Sequence, residues 1–360
     1  MLRQPKFYTK AHGLLTPLLA ICFALLVAII IIGLLGKNPF TFLTVFFQGA
    51  FGNTSNLINT LSKTIPLVFT GLSVGLGFRA GLFNIGSEGQ LYMGGIGAAY
   101  IGALSFSFPR FLHLPLALII GFALGALWGV IPGWLKAKKG VHEVITTIMM
   151  NYVAIHFTTY LVNGPLNAGV FTRKTKDILP TAWLGTLWRS GTAELSYGIL
   201  IALGVALSIY WFLFYTKFGY EVRAVGLNPL AARFAGVGVN KNIVLTLGIC
   251  GGLAGLGGAI EVTGLHHTFY AQFSPGYGYD GIAVALLAKN HPVGIILTAL
   301  LFASLRSADR WLQIRAGIPK DIVLIIQALV ILFIASEALI RGRIIPHLLK
   351  KKKTLLKTEG

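Results

Sequence analysis

Only eleven of the 360 residues are carboxylates, and six of them, Glu88, Glu143, Glu261, Asp280, Asp321 and Glu337, fall in or at the ends of apolar runs. An ionised group there is costly and rarely idle. Glu88 lies with Arg79, Asn84 and Gln90 in GLSVGLGFRAGLFNIGSEGQLYMGG, Gly71 to Gly95, and Asp280 follows Tyr277 and Tyr279 in GYGYDGI. Amides, phenols and helix-end acids in an apolar setting can hydrogen-bond a neutral polar solute in passage, or hold a proton or a cation. They make no catalytic set. Gly81 to Ser87 has the outline GxxxxGS but lacks the lysine of a phosphate-binding loop, and Gly75-Leu76-Gly77 sits in an apolar span without a dinucleotide-binding context. His266 and His267 are adjacent and so do not share a helical face for a metal, and neither HExxH nor GxSxG occurs. The chain is not expected to hydrolyse ATP or to hold a cofactor or metal of its own.

The elements that position these residues must be membrane spans. The chain is 55% hydrophobic and 11% charged, with a mean hydropathy of +0.76, whereas soluble domains carry about 25% charged residues. That composition describes an all-α polytopic membrane protein. The net charge of +19 does not point to nucleic acid, because the basic residues cluster at the ends of apolar runs without interleaved aromatics. Cys22 and Cys250 both fall inside apolar runs, which implies neither a disulfide framework nor a zinc site.

Apolar runs of suitable length predict ten spans, at about 14–36, 61–80, 89–107, 115–135, 143–163, 197–216, 243–265, 278–288, 293–306 and 322–340. The run from Leu14 to Leu35 reads as a retained first span, with no small-residue cleavage site behind it. The eighth and ninth are too short to cross alone. Residues 1–13 form an N-terminal segment, 14–340 the permeating domain, and 341–360 a basic tail. With ten spans both termini share one side. Nineteen of the thirty basic residues, from Arg3 through the Lys136/Lys138/Lys139 cluster to the tail ending in Lys357, lie there, so the bias in Lys and Arg predicts N-in and C-in. Arg306, Arg310, Arg315 and Lys320 run against it.

Eight glycines between Gly71 and Gly95 predict a broken element beside a pathway, since non-helical backbone at membrane depth survives only where protein or a wet cavity covers it. A similar turn precedes Asp280, 192 residues after Glu88, which suggests duplicated halves with broken helices near the midplane. On the fifth span Glu143, Thr147, Met150, Asn151 and Ala154 share one helical face, which should turn to the bundle interior. Residues 164–196, with Pro165, Pro180, Trp183 and Trp188, read as an external loop of short amphipathic pieces. Residues 217–242 form the inner loop. In it Asn228 can cap a short helix opening at Pro229, with an apolar stripe of Leu230, Ala231, Phe234, Ala235 and Val237. That helix either lies on the membrane surface or fits a groove on a partner.

Four runs, FRAGLFNIGSEGQ (Phe78 to Gln90), EVITTIMMNY (Glu143 to Tyr152), GLNPLAARFAGV (Gly226 to Val237) and YGYDGIAVALLAKNHP (Tyr277 to Pro292), resemble the permease subunits of bacterial ABC importers. More narrowly they are similar to the nucleoside-uptake branch of the simple-sugar permease family, related to ribose and galactoside permeases. The resemblance implies a type II importer fold in the bacterial inner membrane, with two permease subunits around a central pathway. It further implies ATPase subunits, with their ATP and Mg, on the cytoplasmic side and a substrate-binding lipoprotein outside. The second permease is expected to be a different chain. By the same resemblance the loop after the sixth span holds the coupling helix, Gly226, Asn228, Ala231, Ala232, Arg233, Phe234, Ala235 and Gly236. The expected cargo is a nucleoside, or alternatively a simple sugar such as ribose or galactose. The expected pathway residues are Asn84, Glu88, Gln90, Asn151, Tyr277, Tyr279 and Asp280. An ion-coupled transporter using Glu88 and Asp280 as ion sites is the rival class.

Overall fold

A computed structural model describes residues 29–34, 36–105, 109–169 and 172–319, with residues 26, 325 and 328 besides. The tail and the first thirteen residues lie outside the described residues, as do most of the expected spans at 322–340 and 14–36. The described elements are α1 (Pro39–Phe51), α2 (Thr54–Arg79), α3 (Ser87–Gly102), α4 (Arg110–Lys139), α5 (Glu143–Asn163), β1 (Thr186–Ser190), β2 (Ala193–Ser196), α6 (Gly198–Tyr215), α7 (Lys217–Leu227), α8 (Pro229–Phe234), α9 (Val239–Glu261), α10 (Tyr277–Leu287) and α11 (Pro292–Ala316). A π-helical turn, Val262–His266, continues α9.

Six helices among the described residues are long and apolar enough to cross a membrane: α2, α4, α5, α6, α9 with its π turn, and α11. The exposed faces of α4, α5 and α6 are largely apolar, as lipid requires. Ile119, Leu127 and Trp134 of α4, Ile145, Met149 and Val153 of α5, and Leu200, Leu207 and Trp211 of α6 all point outward. The centre is α9, packed against α4, α3 and α2. It crosses α4 backbone to backbone. A Cβ on Gly255 would lie 2.5 Å from the Gly121 carbonyl oxygen, and one on Gly251 would lie 2.2 Å from that of Gly125. Small residues at such a crossing let van der Waals contact do the work that the hydrophobic effect cannot do inside lipid.

One expected boundary is corrected and two elements are added. The apolar run at 293–306 is part of a 25-residue helix, α11, that continues to Ala316. The helix extends because its polar second half faces protein and a cavity: Arg306 lies against Asp280, with only 15% of each side chain exposed. A further helix, α1, precedes α2, with Asn38 accepting from the Phe40 N–H at 2.9 Å and Pro39 in the first turn. The segment 164–196, expected as a loop of short amphipathic pieces, carries an antiparallel hairpin, β1–β2, turning at Gly191 in the left-handed region (φ 59°). A two-residue Gly191-Thr192 turn, with glycine first, is the short connection that joins antiparallel strands. The hairpin is tied to α2, where Ser55 donates to the Ser190 carbonyl (3.0 Å) and Ser62 to that of Glu194 (2.6 Å). It marks one end of the bundle, and α7 and α8 mark the other.

Candidate functional site

Two helices begin inside the bundle. The hydroxyls of Ser73 and Ser87 are 3.0 Å apart. Ser73 is six residues before Arg79, so α3 starts about 9 Å in from that end of α2. It runs out to the hairpin end, where the Gly102 carbonyl accepts from Leu179 (2.8 Å). The α10 helix starts deeper, where Thr70 of α2 donates to the Tyr277 carbonyl at 3.0 Å. It runs the other way, and the carbonyl of Asn290 just after it accepts from Arg79 Nε at 3.0 Å. The N-termini of α3 and α10 therefore meet within the bundle and point in opposite directions.

Glu88 sits where they meet. It is 2% exposed, and its carboxylate accepts the Gly278 N–H at 2.6 Å. The contact is so close that a Cβ on Gly278 would lie 2.2 Å from the Glu88 nitrogen. A carboxylate between two helix N-termini is favoured by both dipoles, each by about 0.3–2 kcal/mol. Asp280, also in the first turn of α10, turns instead to Arg306 of α11 (Nε to Oδ2, 2.5 Å), which in turn donates to the Pro275 carbonyl at 3.0 Å. The two acids that stand 192 residues apart thus serve different joints.

The amides predicted for the pathway are brought together here with their polar atoms engaged. Asn84 and Gln90 exchange both hydrogen bonds, 2.9 and 3.1 Å, and Asn84 also donates to the hydroxyl of Ser73. Asn151 accepts from Gly89 N–H at 2.8 Å and donates to the Ile85 carbonyl at 2.9 Å, so α5 holds the broken turn before α3. The interior stripe of α5 is as the spacing predicts, with Glu143, Thr147, Asn151 and Ala154 buried and Met150 half-buried. Glu143 pairs with Lys136 at 2.8 Å. Of the two tyrosines, Tyr277 is buried and Tyr279 is 42% exposed.

At the other end, Asn228 caps α8 by accepting from Ala231 N–H at 3.0 Å. Ala232 is buried, whereas Leu227, Leu230 and Phe234 are 88%, 68% and 93% exposed. Ala231, Arg233, Ala235 and Gly236 are exposed as well. This apolar knob is held on α7, whose Gly226 abuts the end of α2: a Cβ there would lie 2.2 Å from the Arg79 carbonyl oxygen. Contact therefore runs without a gap from the knob through Gly226 and Arg79 to the turn before α3.

Sequence reasoning missed the ion pair between Asp280 and Arg306. Four basic residues against the charge bias were its signal. It also missed a polar cavity of about 420 Å³ between α2 and α11.

The model of the family described as branched-chain amino acid transport system / permease component matches residues 56–335. The chain is 40% identical over 338 residues to the guanosine ABC transporter permease protein NupP of Bacillus subtilis, covering 92% of this chain and 96% of that one. It is 39% identical over 341 residues to the nucleoside ABC transporter permease protein NupB of Lactococcus lactis, covering 92% and 93%. It is 36% identical over 344 residues to the glucose ABC transporter permease protein TsgB13 of Haloferax volcanii, covering 93% and 90%.

Proposed function

The chain belongs to the family of branched-chain amino acid transport system permease components, and from that membership we propose that it carries nucleosides inward across the bacterial inner membrane as one permease subunit of an ATP-driven importer. Two similar permeases named for guanosine or nucleosides, each matched over 92% of this chain, support the cargo. The glucose permease at 36% identity keeps a simple sugar as the second reading. As an ABC permease the chain leaves ATP hydrolysis to a partner subunit, where ATP and Mg would bind.

The observation that carries the mechanism is the knob of Leu227, Leu230 and Phe234, apolar and exposed on a capped, anchored helix. We assign Gly226 to Gly236 as the coupling surface for a cytoplasmic ATPase. That places α7 and α8 inside and the hairpin outside, consistent with N-in and C-in, and makes 164–196 the face for a substrate-binding lipoprotein. Closure of the ATPases would push the knob, and Gly226 would pass the movement to Arg79 and the broken turn. Spans would then tilt as rigid bodies to open the pathway on alternate sides. In this reading Asn84, Glu88, Gln90, Asn151, Tyr277 and Asp280 serve the pathway by holding its broken helices, and Tyr279 offers its ring to it. A second, different permease chain would complete the pathway.

The test is a tagged pull-down from native membranes in mild detergent. Co-purification of a P-loop ATPase and a second permease is the expected result. Recovery of this chain alone or with its own copies would defeat the assembly.

A further inference from the structure

The buried amides around Glu88 are engaged with one another and with the broken turn, whereas the cavity between α2 and α11 has polar side chains without partners. It holds about 420 Å³, within the range of about 300–1,000 Å³ that small-molecule sites occupy. Asn59 of α2 and Ser307 and Arg310 of α11 line it. Asn59 and Arg310 are exposed and Ser307 half-buried, and none of these three side chains has a hydrogen-bond partner among the described residues. Lys63 and Arg306 form part of the wall, but each is committed. The Lys63 ammonium donates to the Arg306 carbonyl at 3.0 Å, and the Arg306 guanidinium to Asp280. Trp311 adds an aromatic surface. An amide that both donates and accepts, a hydroxyl and a guanidinium beside an indole match a neutral solute with several hydroxyls and a flat apolar part. Asp309 also lines the cavity and is engaged within the protein.

We propose that this cavity is a solute-binding site in the outer half of the pathway, with Asn59, Ser307 and Arg310 hydrogen-bonding the hydroxyls of a nucleoside's ribose or of a simple sugar. The site rests on the importer reading above, and the test separates the two.

Asn59→Cys and Ser307→Cys are made in the complete importer and expressed in cells. They are labelled from outside by a membrane-impermeant maleimide, with and without millimolar guanosine, uridine or ribose. Phe111→Cys, exposed at the hairpin end of α4, is the control. Asn59→Leu with Ser307→Leu is assayed for uptake of the same three compounds. The site predicts outside labelling of both cysteines, slowed threefold or more by whichever compound the parent carries, with no change at Phe111→Cys. It also predicts at least a tenfold rise in KM for the double leucine variant, assembled normally. If the parent carries one of the compounds but labelling ignores it and the leucine variant transports like the parent, the site falls and the importer reading stands. A parent that takes up none of the three overturns both.

Discussion

The Glu88 carboxylate accepts the main-chain N–H of Gly278 at 2.6 Å, so the acid that opens α3 also closes the N-terminus of α10, 190 residues on. Replacing it with alanine strands a buried donor at the N-terminus of α10. The cost is about 1–3 kcal/mol from the donor alone. Glu88→Ala is expected to lower the melting temperature of the purified complex and its uptake rate, with Glu88→Gln, which keeps an acceptor, lying between. An alanine variant that melts with the parent would show that the contact holds nothing.

Asp280 and Arg306 form the second joint, and removing one partner of a buried pair costs about 3–5 kcal/mol, because the other is left charged and alone. Asp280→Asn and Arg306→Gln should each reduce the yield of folded protein. Asp280→Leu with Arg306→Met should recover most of it, as measured by size-exclusion recovery in detergent. Additive losses in the double variant would argue that the two side chains act independently.

Phe234 and Leu230 are 93% and 68% exposed, so truncating them removes little internal packing. Phe234→Ala and Leu230→Ala should leave the melting temperature of the isolated permease unchanged. They should weaken capture of the ATPase at least tenfold, the loss of about 1.4 kcal/mol expected of an interface anchor. Equal ATPase recovery would remove the coupling role from α8.

His267 stacks on Trp183, ring centroids 4.2 Å apart, and its carbonyl accepts from Ile178 N–H at 2.9 Å. Burial lowers its pKa below the usual value of about 6.5, with the Glu194 carboxylate opposing only in part. The folded form thus binds the proton more weakly than the unfolded one. The joint is stable above the ordinary histidine pKa and loses stability as pH falls through it. Hydrogen exchange of Arg173 to Leu184, corrected for intrinsic rates, should be faster at about pH 5 than at about pH 8, and His267→Gln should flatten the difference. Exchange that is insensitive to pH in the parent would contradict it.

What could be read in the sequence was what is local. Asn228-Pro229 announces a capped helix within two residues, and the four-residue spacing of Glu143, Thr147 and Asn151 fixes which face of α5 is buried. Asn38-Pro39 carries the same capping signal for α1, but the aromatic run behind it lies between polar segments and was too short to register as a span. The pairing of Asp280 with Arg306 and of Glu88 with Gly278 depends on which helices become neighbours, and no periodicity encodes that. The helical continuation of α11 to Ala316 is equally non-local, because its charged residues include Arg306, whose partner Asp280 stands on another helix.

The most direct test of the account is uptake of tritiated guanosine into proteoliposomes holding the complete importer and its binding protein, with ATP supplied on the ATPase side and ion gradients set independently. The account predicts accumulation that requires ATP hydrolysis and persists when proton and sodium gradients are collapsed. Accumulation that follows an ion gradient without ATP would contradict it and would make Glu88 and Asp280 ion sites.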